Sequence, residues 1–261
     1  MLTIVIIMII LPGNSLFGLN DLVAVITGGS RGLGAEMSRA FAQAGATVVI
    51  ASRNLEHCQV LADELRETTG RQALAYGLHV GHWDEAEPFV NTVYDRLGHI
   101  DVLVNNAGMS PLYDSLPNVT EALFDKVIDV NLKGAFRLTA LIGPRMAADR
   151  GGSIINVSSV GAVHPRPEIL PYAAAKAGLN ALTAGFARAF GPAVRCNAIM
   201  AGTFLTDIAK SWEPEAFAER ASAFALKRAG NPAEIVGTAL YLASSASSYT
   251  TGAIITVDGG Q

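Results

Sequence analysis

Charge is scarce in this chain. Only 16% of its 261 residues are charged, and 19 Lys and Arg stand against 23 Asp and Glu, a formal net charge of −4. Without a basic excess there is no electrostatic footprint for sequence-independent nucleic-acid binding, and nucleic acid is excluded as an expected partner. Half the residues are hydrophobic, which excludes a disordered chain too polar to bury a core. Cysteine is rarer still. Cys58 and Cys196 are the only two, too few for a disulfide framework. Neither lies in a CxxC or a histidine-rich stretch, so no metal is expected, and the implied setting is a reducing, cytoplasmic one.

Long apolar runs are also missing, with one partial exception. Residues 1–11, MLTIVIIMIIL, are almost wholly apolar, yet well short of the ~20 that a spanning helix needs. No Lys or Arg precedes the run and no small-x-small site follows it, so a secretory signal fits poorly. Stable membrane insertion is not expected. Residues 1–14 read as an extension that is a dispensable tail, a cover for an apolar or oligomeric surface, or a weak membrane contact.

What is present is an alternation. Short runs rich in Val and Ile at 23–27, 47–52, 73–79, 102–105, 153–158, 194–200 and 253–257 lack the polar alternation of a strand with one wet face. Strands buried on both sides of a parallel sheet look like this. Between them lie amphipathic stretches near 33–44, 55–69, 84–97, 120–148, 171–190 and 231–244. Asp84 is a candidate N-cap for the third, and Asn231 followed by Pro232 opens the last. Repeated strand–helix order implies right-handed crossovers. No linker or repeat interrupts it, so residues 15–261 are expected to form one α/β domain, a doubly wound, seven-stranded parallel sheet with helices on both faces. Ligands in such folds bind beyond the carboxyl ends of the strands.

The first strand runs into Thr27-Gly28-Gly29-Ser30-Arg31-Gly32-Leu33-Gly34 and then a helix. Glycines there permit a tight turn and let backbone N–H groups approach a pyrophosphate. The second strand ends in Ser52-Arg53-Asn54, where an acidic residue would bind ribose hydroxyls and repel a 2′-phosphate. Arg53 and Arg31 offer guanidinium donors instead. NADP(H) is therefore the expected cofactor.

Three further segments carry chemistry. They are Asn105-Asn106-Ala107-Gly108, Asn156-Val157-Ser158-Ser159, and Tyr172-Ala173-Ala174-Ala175-Lys176. A helix puts Tyr172 and Lys176 on one face. A phenol with a pKa of ~10 is a poor acid or base at neutral pH, and a nearby ammonium would lower it. Ser159 could then bond the substrate oxygen as charge develops there.

Taken in this order, the motifs resemble those of the short-chain dehydrogenase/reductase family over about residues 16–261. The resemblance implies a Rossmann fold and a tetrad of Asn131, Ser159, Tyr172 and Lys176, with Asn131 in Asp129-Val130-Asn131 holding a relay water. It implies cofactor contacts from Gly28, Ser30, Arg31, Gly32, Leu33, Gly34, Ser52, Arg53 and Asn54. Others would come from His79, Val80, Asn106, Ala107, Gly108, Val130, Gly202, Thr203, Phe204 and Thr206, besides Tyr172 and Lys176. Ser158 would be a backbone-supporting neighbour. A homo-oligomer is implied, a tetramer before a dimer, with the last strand at a subunit contact.

Two positions depart from the family pattern. His79 stands where an acidic residue usually meets adenine, and Ala201-Gly202 replaces Pro-Gly, which should loosen that turn. Residues 204–226, with Ile208, Trp212, Phe217 and Phe224, read as an apolar-faced lid, and Pro165-Arg166-Pro167 and residues 109–117 as cleft rims. The expected activity is NADP(H)-dependent interconversion of a ketone and a secondary alcohol, of the 3-oxoacyl-reductase kind. A sugar or polyol dehydrogenase and a non-catalytic NADPH sensor are the alternatives.

Overall fold

The computed structural model describes residues 16–206, 219 and 221–261. The apolar segment 1–14 and the lid residues Ile208, Trp212 and Phe217 lie outside the described residues. Seven strands, β1 (Val23–Thr27), β2 (Thr47–Ser52), β3 (Ala73–Gly77), β4 (Val102–Asn105), β5 (Gly152–Ser159), β6 (Val194–Ala201) and β7 (Ile254–Val257), form one parallel sheet. Their order is β3-β2-β1-β4-β5-β6-β7. The order reverses between β1 and β4, which opens a crevice beyond their carboxyl ends.

Every residue of β1 is buried, because its two faces feed two cores. On one face Ala24 and Ile26 pack with Met37 and Phe41 of α1 (Gly32–Gln43), Leu61 of α2 (Leu55–Thr69) and Leu242 of α7 (Val236–Ala243). On the other, Val25 packs with Phe89 of α3 (Trp83–Leu97) and with Leu138 and Ile142 of α5 (Gly134–Ala148). Two-sided burial is why the strands read as unbroken apolar runs. A polar thread crosses this interior. Asn105 Nδ2 donates to Thr139 Oγ1 at 3.0 Å and Asn156 Oδ1 at 2.9 Å, and Asn156 Nδ2 donates to Thr183 Oγ1 at 2.9 Å. It ties β4 and β5 to α5 and to α6 (Leu170–Phe190).

Three expectations are corrected. β3 stops at Gly77 rather than at 79, because the backbone N–H of His79 is taken by the Glu85 carboxylate at 2.8 Å. Helix α3 starts at Trp83 with His82 in the N-cap position. Asp84 is instead a first-turn acid, favoured there by the helix dipole. The stretch expected as one helix over 120–148 is divided into α4 (Glu121–Ile128), a π-helical turn (Asp129–Lys133) and α5. At the C-terminal side a 3₁₀ turn (Pro232–Ile235) leads into α7, opened by a capping box between Asn231 and Glu234.

Candidate active site

The glycine turn is fastened from beneath. Thr27 Oγ1 donates to Val104 O at 3.2 Å and accepts from Asn106 N at 3.0 Å and Ala107 N at 3.1 Å. Asn106 Nδ2 donates to Thr27 O at 2.9 Å and Gly28 O at 3.2 Å. The ends of β1 and β4 thus hold one another in register. Gly28 and Gly32 have φ of +61° and +53°, a region that disfavours other residues. Gly34 answers to space instead, since a Cβ there would stand 2.2 Å from Gly28 O. Arg31 caps α1 without a side-chain bond, and the first turn carries no acid. Its backbone N–H groups are left for an anion.

The β2 end lies beside this turn. Ser30 Oγ and Ser52 Oγ are 2.9 Å apart. Asn54 Oδ1 accepts from His57 N at 3.1 Å as the N-cap of α2, so this expected cofactor residue has a structural duty. Arg31 and Arg53 are exposed, and among the described residues neither has a carboxylate partner. His79 stacks on His82 with centroids 3.9 Å apart. Its Nδ1 is buried without a partner. Burial, then the neighbouring His82 and Arg53, hold its pKa below the usual imidazole value. Val80 and Val130 border the same area with Thr27, Asn105 and Ala107.

The expected tetrad converges at the ends of β4 and β5. Asn131 is buried in the π turn. Its Nδ2 donates to Val127 O at 2.9 Å and Met109 O at 2.8 Å, while its Oδ1 accepts from Met109 N at 3.1 Å. Lys176, 3% exposed, donates from Nζ to Val157 O at 2.7 Å. A Cβ on Gly108 would stand 2.9 Å from Asn131 Oδ1 and 3.6 Å from Lys176 Nζ, so the bare backbone there lets Asn131 approach next to Lys176. Ser159 accepts from Gly161 N at 3.1 Å and lies close enough to the Tyr172 hydroxyl to pull its pKa down. Ser158 Oγ donates to Lys176 O at 3.4 Å.

The electrostatics differ from the expectation in one respect. Burial raises the Tyr172 pKa, and the neighbouring Ser159 hydroxyl only partly opposes it. Lys176 Nζ stands 5.7 Å from the phenol ring centroid and spends a donor on Val157. Desolvation lowers the lysine to about 8. The phenol is therefore kept protonated rather than made acidic.

The loop after β6 also differs. A Cβ on Gly202 would collide with Asp258 Cβ at 2.5 Å, and Gly202 N donates to Val257 O at 3.0 Å. Thr203 N and Oγ1 both donate to Gln261 Oε1, at 3.0 and 2.9 Å. Where a slack turn was expected for want of proline, the C-terminal residues pin it. The Phe204 side chain, 7% exposed, belongs to the core with Ile235 rather than to the crevice. Thr206 lies across from Gly32, its Cγ2 3.4 Å from where a Cβ would be. Phe224 is buried as well. Thr27, Val157 and Gln261 are site-building residues that the sequence reading missed. Only Thr27, opening the glycine motif, carried a local signal.

A dinucleotide suits this arrangement. An uncapped helix start, two left-handed glycines and unpaired arginines line one end of the crevice, and the buried, unpartnered His79 Nδ1 offers a hydrogen-bonding atom beside them. Residues 28–261 match the family model described as Enoyl-(Acyl carrier protein) reductase. The chain is 38% identical to the 3-oxoacyl-[acyl-carrier-protein] reductase FabG of Thermotoga maritima, over 91% of this chain and 96% of that protein. It is similar to a crystal structure of a short-chain type dehydrogenase/reductase from Mycobacterium marinum, with a TM-score of 0.87, 33% identity, and 94% and 97% of the two chains covered. A 7α-hydroxysteroid dehydrogenase complexed with NADH and 7-oxo glycochenodeoxycholic acid gives a TM-score of 0.89, 32% identity, and 94% and 96% coverage.

Replacing Gly34 with Ala drives a methyl against Gly28 O and Asn106 Nδ2. This overpacking is expected to cost about 1–3 kcal/mol. It should appear as a lowered melting temperature together with weakened dinucleotide binding in a fluorescence titration.

Proposed function

The chain belongs to the short-chain dehydrogenase/reductase family, and from that premise we propose an NADP(H)-dependent oxidoreductase that interconverts a ketone and a secondary alcohol. The observation that carries this reading is the convergence of a protonated phenol, its Ser159 partner and the buried Lys176 ammonium at the carboxyl ends of β4 and β5. The glycine turn from Gly28 to Gly34 would hold the diphosphate, and Arg31 and Arg53 an adenosine 2′-phosphate. His79 and Val80 would border the adenine, with Lys176 and the Gly202–Thr206 loop at the nicotinamide end. When bound, the nicotinamide supplies the hydride for reduction or accepts it in reverse.

In reduction Ser159 donates to the substrate carbonyl oxygen and fixes its direction. Tyr172 transfers its proton to that oxygen as the C–O bond becomes single. The Lys176 ammonium steadies the negative charge then left on the phenol. Asn131, whose carboxamide is locked by Met109 and Val127, shapes the wall through which water returns a proton. Similarity to a 3-oxoacyl reductase and an apolar composition support a 3-oxoacyl-type ketone as substrate.

We further infer a cytoplasmic homo-oligomer, a tetramer before a dimer. In support, both cysteines are free and buried, and no helix among the described residues is long and apolar enough to cross a membrane. The edge strand β7 leaves Ile254 42% exposed, and Phe136 on α5 is 38% exposed. Sedimentation equilibrium should give a mass at least twice 27.3 kDa; a monomer at micromolar concentration would refute the oligomer.

Following reduced-cofactor absorbance with a panel of 3-oxoacyl thioesters, ketones and sugars tests the activity, with NADPH expected to outperform NADH. Tyr172→Phe should lower kcat by about 10²-fold or more while NADPH still binds. Retained turnover would remove the phenol from the chemistry. Lys176 loses its proton on passing about 8, below the point where Tyr172 ionises. Reduction is therefore expected to be level on the acid side of about 8 and to fall as pH rises through it, which a kcat profile with pH would record.

A further inference from the structure

Helix α6 carries Tyr172 and Lys176, yet its first turn has no cap of its own. Ile169, at the N-cap position, has an apolar side chain and makes no capping bond. Helix starts leave N–H groups that need an acceptor. Pro171 removes one of them by having no N–H. Leu170 N–H finds its acceptor 57 residues away in sequence, in the hydroxyl of Tyr113 at 3.0 Å. The same hydroxyl donates to Pro167 O, and a phenol can donate once while accepting another bond. Tyr113 is half-buried between the exposed Leu112 and Asp114, so it alone of the three turns inward.

The loop that bears Tyr113 is fixed at its other end. Asn131 holds both backbone polar groups of Met109. The short segment from Met109 to Tyr113 therefore spans the distance from Asn131 to the start of α6. It links one member of the candidate tetrad to the helix that supplies two others. Tyr172 lies two residues beyond Leu170, within the turn that Tyr113 restrains.

We propose that Tyr113 is a positioning residue, a remote N-cap that keeps the first turn of α6, and with it the Tyr172 hydroxyl, aligned with Ser159. This rests on the reading of Tyr172 as the proton donor. Tyr113 itself touches no reacting atom. The phenol also fastens the rim around Pro167 to the rim after β4, so the cleft has walls joined by one hydroxyl.

Tyr113→Phe keeps the ring and removes the bonds. The expected result is exchange of the Leu170 and Tyr172 amides faster by about five- to tenfold, measured by hydrogen exchange with mass spectrometry or NMR. With it, kcat for the ketone should fall about five- to tenfold, while NADPH affinity and melting temperature stay near those of the wild type. Val60→Ala, a change at an exposed position of α2 outside the cleft, should leave exchange and kcat unchanged. Unaltered amide exchange overturns the proposal. So does faster exchange with unchanged kcat, and so does a joint collapse of melting temperature and NADPH binding, which would mark a merely structural role. If the wild-type protein reduces no carbonyl with either nicotinamide cofactor, the proton-donor reading fails instead, and the exchange measurement still decides whether Tyr113 caps α6.

Discussion

A charged amine that is almost wholly out of water sets the terms for the rest of this site. Lys176 Nζ is bonded to a single backbone carbonyl, Val157 O, at 2.7 Å. Burying an ammonium is costly unless it is well partnered, and the burial lowers its pKa to about 8. The arrangement needs several things at once. The carboxyl end of β5 must present a carbonyl into the crevice. Gly108 must stay bare, because a Cβ there would stand 2.9 Å from Asn131 Oδ1, beside Lys176. Helix α6 must also begin where it does, so that a lysine in its second turn reaches β5. Ser158, bonded to the Lys176 carbonyl, supports the same approach from the backbone side.

That environment favours one protonation state of the phenol. Tyr172 is buried beside Ser159, and its pKa moves up rather than down. A phenol that stays protonated is ready to give a proton to a carbonyl oxygen. A phenolate, ready to take one from an alcohol, would require the ammonium to turn from Val157 toward the ring. The resting phenol is thus in the proton-donor state, set by its burial and its neighbours.

How much of this was legible beforehand follows from how far apart the partners are in sequence. The strand pattern, the glycine turn and the Tyr-x-x-x-Lys spacing are local, so periodicity and spacing exposed them, and all seven strands fall where apolar runs predicted, give or take two residues. The π turn at Asp129–Lys133 was not legible, since nothing in Asp-Val-Asn-Leu-Lys breaks a helical pattern. The widening follows from Asn131 bonding both Val127 O and the distant Met109. Gln261 holding Thr203 was equally hidden, because 58 residues separate them. Reading the loss of a proline as slack treated the loop as if only its own residues restrained it. Phe204 misled for a related reason. It sits in the right segment, but the isolated pairing of Phe204 with Gly230 carries its ring into the core.

Cofactor choice is decided on a smaller scale than the fold. A solved relative of nearly the same shape is complexed with NADH, so overall shape does not settle the choice of dinucleotide. The proposed difference lies in charge at the end of β2. A carboxylate there would accept from ribose hydroxyls and repel a 2′-phosphate; this chain has Ser52, Arg53 and Asn54 instead. Ser52 is engaged with Ser30 and Cys58, and Asn54 caps α2. That leaves the Arg53 and Arg31 guanidiniums as the groups free to meet a ligand. Burial, His82 and Arg53 hold the His79 pKa down, and the nearby Glu85 carboxylate is engaged with the His79 N–H and the His82 ring, so the end of β2 itself presents cations and hydrogen-bonding atoms. A dianionic phosphate gains from that field, whereas a ribose hydroxyl gains little. The proposed preference for NADP(H) therefore rests on the absence of an acid at the end of β2 as much as on the presence of two arginines.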